Sequence, residues 1–244
     1  MTTETRVDLV AERYEPLVDS SRKAFFTSAT ITTLSDPNAA PNLLDRFLIQ
    51  YCARGVQMTE PVDGWIRRAG AATSAAGHVE LGEALQRHAV HEAGHHEMMI
   101  ADTHALIERW NRDHPEAALA AGEILDQPVS PGVQAYIDLH ESVIAGTEPF
   151  AQIAIEYEIE LLSITAGPML MGNVARVCGA DRIGLLSFLN DHIELDQGHT
   201  VFNRRQMNRF LADHPAAVAS LAQSGSAALD AYGQFLTDCL EAAR

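Results

Sequence analysis

The chain has 244 residues, 47% of them apolar, so it is long enough to bury a sizeable core as one domain spanning residues 1–244. Its net charge of −16 argues against sequence-independent binding to nucleic acid or to an anionic membrane, because both require clustered lysine and arginine. The three cysteines are widely spaced and form no C-x-x-C pair, a pattern typical of free thiols in a reducing cytoplasm: Cys52, Cys178 and Cys239.

The sequence contains no segment that indicates export or insertion into a membrane. The first ten residues lack a basic stretch followed by an apolar stretch, so no secretion signal is expected. The longest apolar tract, residues 153–171, carries Glu156, Glu158 and Glu160, which a membrane-spanning helix would not normally contain. We therefore expect a cytoplasmic protein.

Helical periodicity runs along the whole chain, whereas the alternation typical of strands is scarce. Prolines and glycines mark the breaks, and Pro61 should kink the helix in which it lies. We predict helices over residues 6–34, 42–71, 78–112, 115–124, 131–145, 149–177, 182–212 and 215–242. The pattern predicts an all-α, single-domain bundle of seven or eight helices, an architecture that builds metal sites from inward-facing side chains on several helices.

The third predicted helix is rich in histidine: five of the chain's eleven histidines lie between residues 88 and 104. Glu92 lies on the axis of its apolar stripe, with His88, His95 and His96 within about 60° on either side. Glu92-x2-His95 is a spacing that presents a carboxylate and an imidazole to one metal, and His96 remains an alternative to His95. Two further histidines point away and are interpreted as surface or outer residues: His91 and His104.

The sixth predicted helix offers three glutamates for one role. Glu158 shares its face with small and apolar residues, which indicates burial. Glu156 and Glu160 share the opposite face with Gln152 and Ser163, a pattern that indicates solvent exposure. We interpret Glu158 as the candidate ligand, although one pattern argument leaves the choice among the three glutamates open.

The seventh predicted helix carries His192, Asp196 and His199 at relative angles of roughly 0°, 40° and −20°, so all three project from one narrow face. Apolar residues continue that face in both directions, whereas Glu194 lies on the opposite side and should be solvated. Ionisable groups in an apolar face must be paired or must bind a metal, because an unpaired buried charge is costly. Oxygen and nitrogen donors without thiolate favour iron or manganese at a redox site.

The ordered motifs Glu92-x2-His95, Glu158 and His192-x3-Asp196-x2-His199 resemble those of the heme-oxygenase-like diiron oxidases and oxygenases, which are related in fold to heme oxygenase and the thiaminase-like proteins. The resemblance implies a heme-oxygenase-like fold over roughly residues 10–240. It also implies two Fe(II) ions per chain, with manganese possible, held by these metal-binding and catalytic residues: Glu92, His95, Glu158, His192, Asp196 and His199.

The same resemblance implies activation of O2 with electrons from an external donor, and by analogy a homodimer. The substrate would be a small organic molecule, undergoing N-oxygenation of an amine, or desaturation or C–C cleavage of an amino acid or a fatty acid. Arg54, Arg67 and Arg68 are candidates for anchoring a substrate carboxylate, and Glu60 is a further candidate acid.

Two other functions remain open. One is an iron-binding or ferroxidase protein without an organic substrate, which would share the ligands but need no pocket. The other is a metal-free, thiaminase-like hydrolase or binding module on the same scaffold. The thiaminase-like alternative is weakened because it would need a catalytic cysteine, and the three cysteines have no evident activating neighbour.

Overall fold

The computed structural model describes residues 7–244, which contain no β-strand. The α-helices are α1 (Glu15–Phe26), α2 (Ala29–Ser35), α3 (Pro41–Thr59), α4 (Val62–Ala75), α5 (Val79–Glu92), α6 (His96–Asp113), α7 (Ala121–Leu125), α8 (Pro131–Ala145), α9 (Gln152–Val177), α10 (Ser187–Asp213) and α11 (Val218–Ala242). This confirms the all-α class. Residues 1–6, which include the start of the first predicted helix and part of the segment tested for a secretion signal, lie outside the described residues.

Short π and 3-10 segments complete the chain: Val10–Tyr14, Pro115–Ala117, Pro149–Ala151, Ala180–Leu185 and Pro215–Ala217. The predicted boundaries hold best where proline or a capping serine marks a helix start. Pro131 begins α8 next to Ser130, whose side chain accepts a hydrogen bond from the Val133 amide. Similarly, Ser28 caps α2, and the long helix predicted over residues 6–34 is therefore divided.

Two other long predicted helices are also divided. Pro61 ends α3 and precedes α4, so the expected kink is a complete break. The prediction of one continuous helix over residues 78–112 is wrong, because Gly94 adopts a left-handed φ of +85° that separates α5 from α6. Glu92 is the last residue of α5, and His95 lies in the turn.

The core consists of two buried apolar clusters, one between α3, α8, α9 and α11 and one that joins the N-terminal segment to α5, α9 and α10. α9 contributes to both, and every residue from Gln152 to Glu160 except half-buried Ile159 is buried. α4 and α5 pack so closely that a Cβ on Gly70 would lie 2.7 Å from the carbonyl oxygen of Gly82. None of the helices within residues 7–244 has the length and apolarity needed to cross a bilayer.

Candidate metal centre

Five of the six predicted site residues lie together where α5, the turn after it, and α10 meet. His199 Nδ1 lies 3.4 Å from Glu92 Oε1 and 3.1 Å from Asp196 Oδ1. His95 Nδ1 lies 3.2 Å from the other oxygen of Glu92, and the rings of His95 and His192 are 4.7 Å apart between centroids. Glu92 therefore lies between two groups of nitrogen donors.

The sixth predicted residue, Glu158, does not lie with this cluster. It is buried, as predicted, but Arg22 of α1 donates to both of its oxygens at 2.7 and 2.9 Å, and the Tyr14 hydroxyl donates at 2.9 Å. A buried carboxylate with a bidentate arginine is already satisfied. The expectation that Glu158 joins the cluster is therefore corrected: it links α9 to the N-terminal helix.

Glu160 takes the place expected for Glu158. Its Oε1 lies 2.8 Å from His88 Nε2 and 3.7 Å from His199 Nδ1, and its Oε2 accepts a 2.7 Å hydrogen bond from Asn203. His88, which is only 2% exposed, also lies 3.8 Å from Glu92 Oε1. The cluster thus gains one carboxylate and one imidazole that sequence reasoning did not select.

The prediction that Glu156 and Glu160 are solvated is wrong, because they are 5% and 6% exposed. The sequence did group them correctly on one face of α9, but that face lines a cavity together with Ser163 and Gly167. The signal was available: a polar stripe on a helix that is otherwise apolar on all sides must face an interior site. Glu194 is exposed, as predicted.

The break at Gly94 explains which histidine of the third predicted helix enters the cluster. Because α5 ends at Glu92, angles calculated for one continuous helix do not apply to the residues that follow. The turn places the His95 imidazole next to the Glu92 carboxylate. Half-buried His96 is not among the residues whose donor atoms converge. The two histidines interpreted as surface residues are exposed: His91 and His104.

The donors fit a metal ion. Two overlapping groups place one ligand atom per residue within 4.8 Å of one another: His88, Glu92, Glu160 and His199, and then Glu92, His95 and His192. Three of these buried atoms lie near other donors of the cluster but make no hydrogen bond of acceptable geometry: His88 Nε2, His95 Nδ1 and Glu160 Oε1. Buried polar atoms are normally paired, and nitrogen and oxygen donors at this spacing suit a divalent cation.

Two contacts fix α10 and its histidine. The Asp102 carboxylate of α6 accepts from the Ser187 and Phe188 amides at 3.0 and 2.9 Å, which caps the first turn of α10. The His192 ring stacks on Phe188 with centroids 3.8 Å apart, and its Nδ1 donates to the Phe188 carbonyl at 2.8 Å. This hydrogen bond leaves Nε2 with its lone pair free for a metal.

The two cluster glutamates have opposite electrostatic environments. Burial alone would raise the pKa of Glu92. The contact with His95 and the charges of the nearby imidazoles outweigh the effect of burial and lower the pKa to about 2. Burial raises the pKa of Glu160 well above its usual value, and the carboxylates of Asp196 and Glu92 raise it further. Three carboxylates in one buried site repel each other, and a bound cation would relieve that repulsion.

Burial and nearby charges also shift the pKa values of three other groups at the site. Burial lowers the pKa of His192, whereas the hydrogen bond to Asp196 raises the pKa of His199. Burial also raises the pKa of Glu156 to about 8, and the nearby charge of Glu160 acts in the same direction. The site therefore favours neutral forms wherever a group lacks a charged partner.

A cavity of about 140 Å³ opens directly beside the cluster. Glu92, His95, His192 and Asp196 form part of its wall, and aliphatic, methionine and aromatic side chains form most of the rest. The proposed carboxylate anchors do not line it: Arg54 binds Gln50, Arg67 binds Asp63, and Arg68 binds Glu141. Exposed Glu60 does not line it either.

Comparison with known proteins identifies the fold. No protein-family model matches the sequence, and a search of curated proteins finds no match. A domain of unknown function with a heme oxygenase-like fold from Shewanella denitrificans OS217 superposes with a TM-score of 0.70 at 14% identity, covering 95% of this chain and 92% of that one. A TenA homolog from Pseudomonas syringae pv. tomato DC3000 gives a TM-score of 0.65 at 15% identity, with the same coverage. The chain therefore has a heme oxygenase-like fold, as its sequence motifs predicted.

Proposed function

We propose that this heme oxygenase-like protein is an O2-activating oxidase or oxygenase that holds two iron ions and acts on a small, largely apolar organic substrate. The observation that carries the proposal is the position of the donor cluster, in which four imidazoles and three carboxylates converge beside a largely apolar cavity. The donor cluster consists of His88, Glu92, His95, Glu160, His192, Asp196 and His199. Such a pairing of converging polar groups with an apolar pocket is typical of an enzyme site.

The donor positions support the following set of ligands. Glu92, His95 and His192 would hold one ion, and His88, Glu160 and His199 would hold the other, with Glu92 common to both groups and Asp196 beside them. No cysteine lies in either group among the described residues, and nitrogen and oxygen donors without thiolate favour iron, with manganese possible. When bound, the iron supplies the binding and reduction of O2, with electrons from an external donor.

The protein's own contribution is to orient the ligands and exclude water. The Asp102 cap and the Phe188 stack hold His192 in place, and Asn203 holds Glu160. Orientation of ligands by such outer contacts strengthens metal binding. The apolar side chains of the cavity wall would displace water from around a bound substrate, so that oxidation is directed at the bound molecule.

Two observations weigh against the other functions. An iron-storing or ferroxidase protein has no need of the apolar cavity beside the donors. A thiaminase-like hydrolase requires a reactive thiol, yet no cysteine of residues 7–244 lines this cavity. Burial also raises the pKa of Cys52 well above its usual value and that of Cys178 to about 11, which opposes thiolate formation.

Anaerobic loading with Fe(II), followed by O2 and a chemical reductant, tests the proposal. We expect two iron ions per chain by elemental analysis and O2 consumption that rises when a panel of amines, amino acids and fatty acids contains a substrate. His192→Ala should bind less iron while keeping its helical circular dichroism. Oxygen consumption that no compound alters would favour the ferroxidase, and a wild-type protein that binds no iron or manganese would overturn the proposal.

A further inference from the structure

Glu156 is a buried acid in the cavity wall that the metal cluster does not use. It is 5% exposed, and it lies one helical turn before Glu160 on the face of α9 that lines the cavity. Its one hydrogen bond in the structure comes from the side-chain amide of Gln152, at 2.5 Å. Glu156 therefore has a neutral hydrogen-bond partner and no lysine or arginine, although the nearby imidazole of His88 acts to lower its pKa.

Glu158, two residues along the same helix, is a buried glutamate with a structural role and provides a comparison for Glu156. Arg22 and Tyr14 together donate three hydrogen bonds to it. No lysine or arginine lines the cavity that Glu156 faces, within the part of the chain that the structure describes. A buried carboxylate without a cation is costly, so Glu156 favours its neutral form until a cation enters the cavity, and a cationic ligand would stabilise the charged form.

The rest of the wall supports the same conclusion. Ser163, farther along the same face of α9, has a buried hydroxyl oxygen with no hydrogen-bond partner. Tyr51, Tyr136 and Tyr232 also line the cavity, and aromatic faces attract cations. An anionic substrate would find no lysine or arginine there, and the two imidazoles in the wall belong to the metal cluster, whereas a cation would find an acid and aromatic rings.

We propose that Glu156 recognises the amino group of the substrate, so that the cavity selects an amine with an apolar body over the corresponding alcohol or carboxylate. The amine binds as an ammonium paired with the Glu156 carboxylate. One turn of helix separates this group from Glu160, so the nitrogen lies about 6 Å along α9 from the donor cluster. This inference rests on the proposed function only in taking the cavity as the substrate site.

Direct binding tests the proposal without turnover. Butylamine, hexylamine and octylamine, and the alcohols and carboxylates of the same chain lengths, are titrated by calorimetry into anaerobic protein, with and without Fe(II). We expect one amine to bind at least about tenfold more tightly than its alcohol and its carboxylate. Glu156→Gln should lose at least about tenfold in amine affinity while its alcohol affinity is unchanged. Exposed Glu194→Gln removes the same charge from α10 and should bind like wild type.

Three results would overturn the inference: equal or tighter binding of the alcohol or carboxylate, unchanged amine affinity in Glu156→Gln, or no amine binding across the series. Circular dichroism confirms that the variant is folded, and if it is not, the comparison of amine, alcohol and carboxylate on the wild type decides alone. A preference for carboxylates alongside normal iron loading and O2 use would remove this inference and leave the proposed function intact. Amine binding by a protein that binds no iron would remove the proposed function and leave this inference intact.

Discussion

At the scale of single residues, Glu158 and Glu160 provide a matched pair on α9. Glu160 contacts His88 and faces the other cluster donors, whereas Glu158 pairs with Arg22. We expect Glu160→Gln to weaken metal binding by at least roughly tenfold, because an amide is a poorer ligand than a carboxylate. Glu158→Gln should keep its metal but lose about 1–3 kcal/mol of unfolding free energy, because Arg22 is left without a full countercharge.

Elemental analysis after desalting and urea unfolding of the metal-free proteins separate the two effects. A Glu158→Gln protein that loses iron while Glu160→Gln keeps both ions would reverse the assignment made from the structure. The metal-free Glu160→Gln protein should be about as stable as wild type, because burial raises the pKa of Glu160 and already favours its neutral form, which glutamine resembles in size and charge.

His140 gives a residue-scale prediction about pH. It is fully buried, stacks on Trp65 with ring centroids 4.3 Å apart, and lies 2.7 Å from the Gln152 amide through Nδ1. Burial lowers its pKa from 6.5 to about 3. Between these values the unfolded chain binds a proton that the folded protein does not, so His140 costs no stability above pH 6.5 and costs progressively more as the pH falls toward 3.

From pH 6.5 to pH 5 this difference amounts to about 2 kcal/mol of unfolding free energy. Urea unfolding at several pH values should therefore show a steeper loss of stability for wild type than for His140→Phe, which keeps an aromatic ring but cannot titrate. Parallel curves for the two metal-free proteins would contradict a buried, neutral His140. The comparison uses the pH slope, so a constant packing cost in the variant does not affect it.

At the scale of secondary-structure elements, the turn between α5 and α6 decides where His95 lies. Gly94 has a φ of +85°, and a Cβ there would meet no atom within 4 Å. Gly94→Ala therefore costs only backbone strain, about 1–2 kcal/mol of unfolding free energy. Because relief of that strain moves the turn, we expect Gly94→Ala also to weaken metal binding, measured by Fe(II) titration.

Gly77 is the matched control. It has a φ of +96° in the turn between α4 and α5, and its Cβ position is also open. Gly77→Ala should lose a similar unfolding free energy, about 1–2 kcal/mol, but bind iron like wild type. Equal iron affinity in both variants would mean that the turn at Gly94 does not position His95.

The elements also show why part of the site was predictable from sequence. His192, Asp196 and His199 lie on one unbroken helix, so their spacing fixes their common face. The Glu92 and His95 pair spans a break that only the φ of Gly94 reveals. The choice of Glu158 failed because burial alone does not distinguish a ligand from an ion pair, and its partner Arg22 is distant in sequence.

At the scale of the whole molecule, the fold and the site depend on different residues. Two apolar clusters hold the helices together, and neither includes a residue of the donor cluster. The donor cluster instead places three carboxylates in the interior, where they repel each other. The metal-free protein should therefore stay helical and folded, because the apolar clusters that hold the helices together do not depend on a bound ion.

Metal binding should consequently stabilise the entire bundle. For a ligand that binds the folded state alone at 100 times its Kd, the gain is about 2.7 kcal/mol. For a chain of this size each kcal/mol raises the thermal midpoint by roughly 2–4 °C, so anaerobic Fe(II) should raise it by about 5–10 °C over the protein treated with a chelator. Differential scanning calorimetry measures the shift, with His192→Ala as a control that should respond less. Identical midpoints with and without metal in the wild type would show that the converging donors hold no ion.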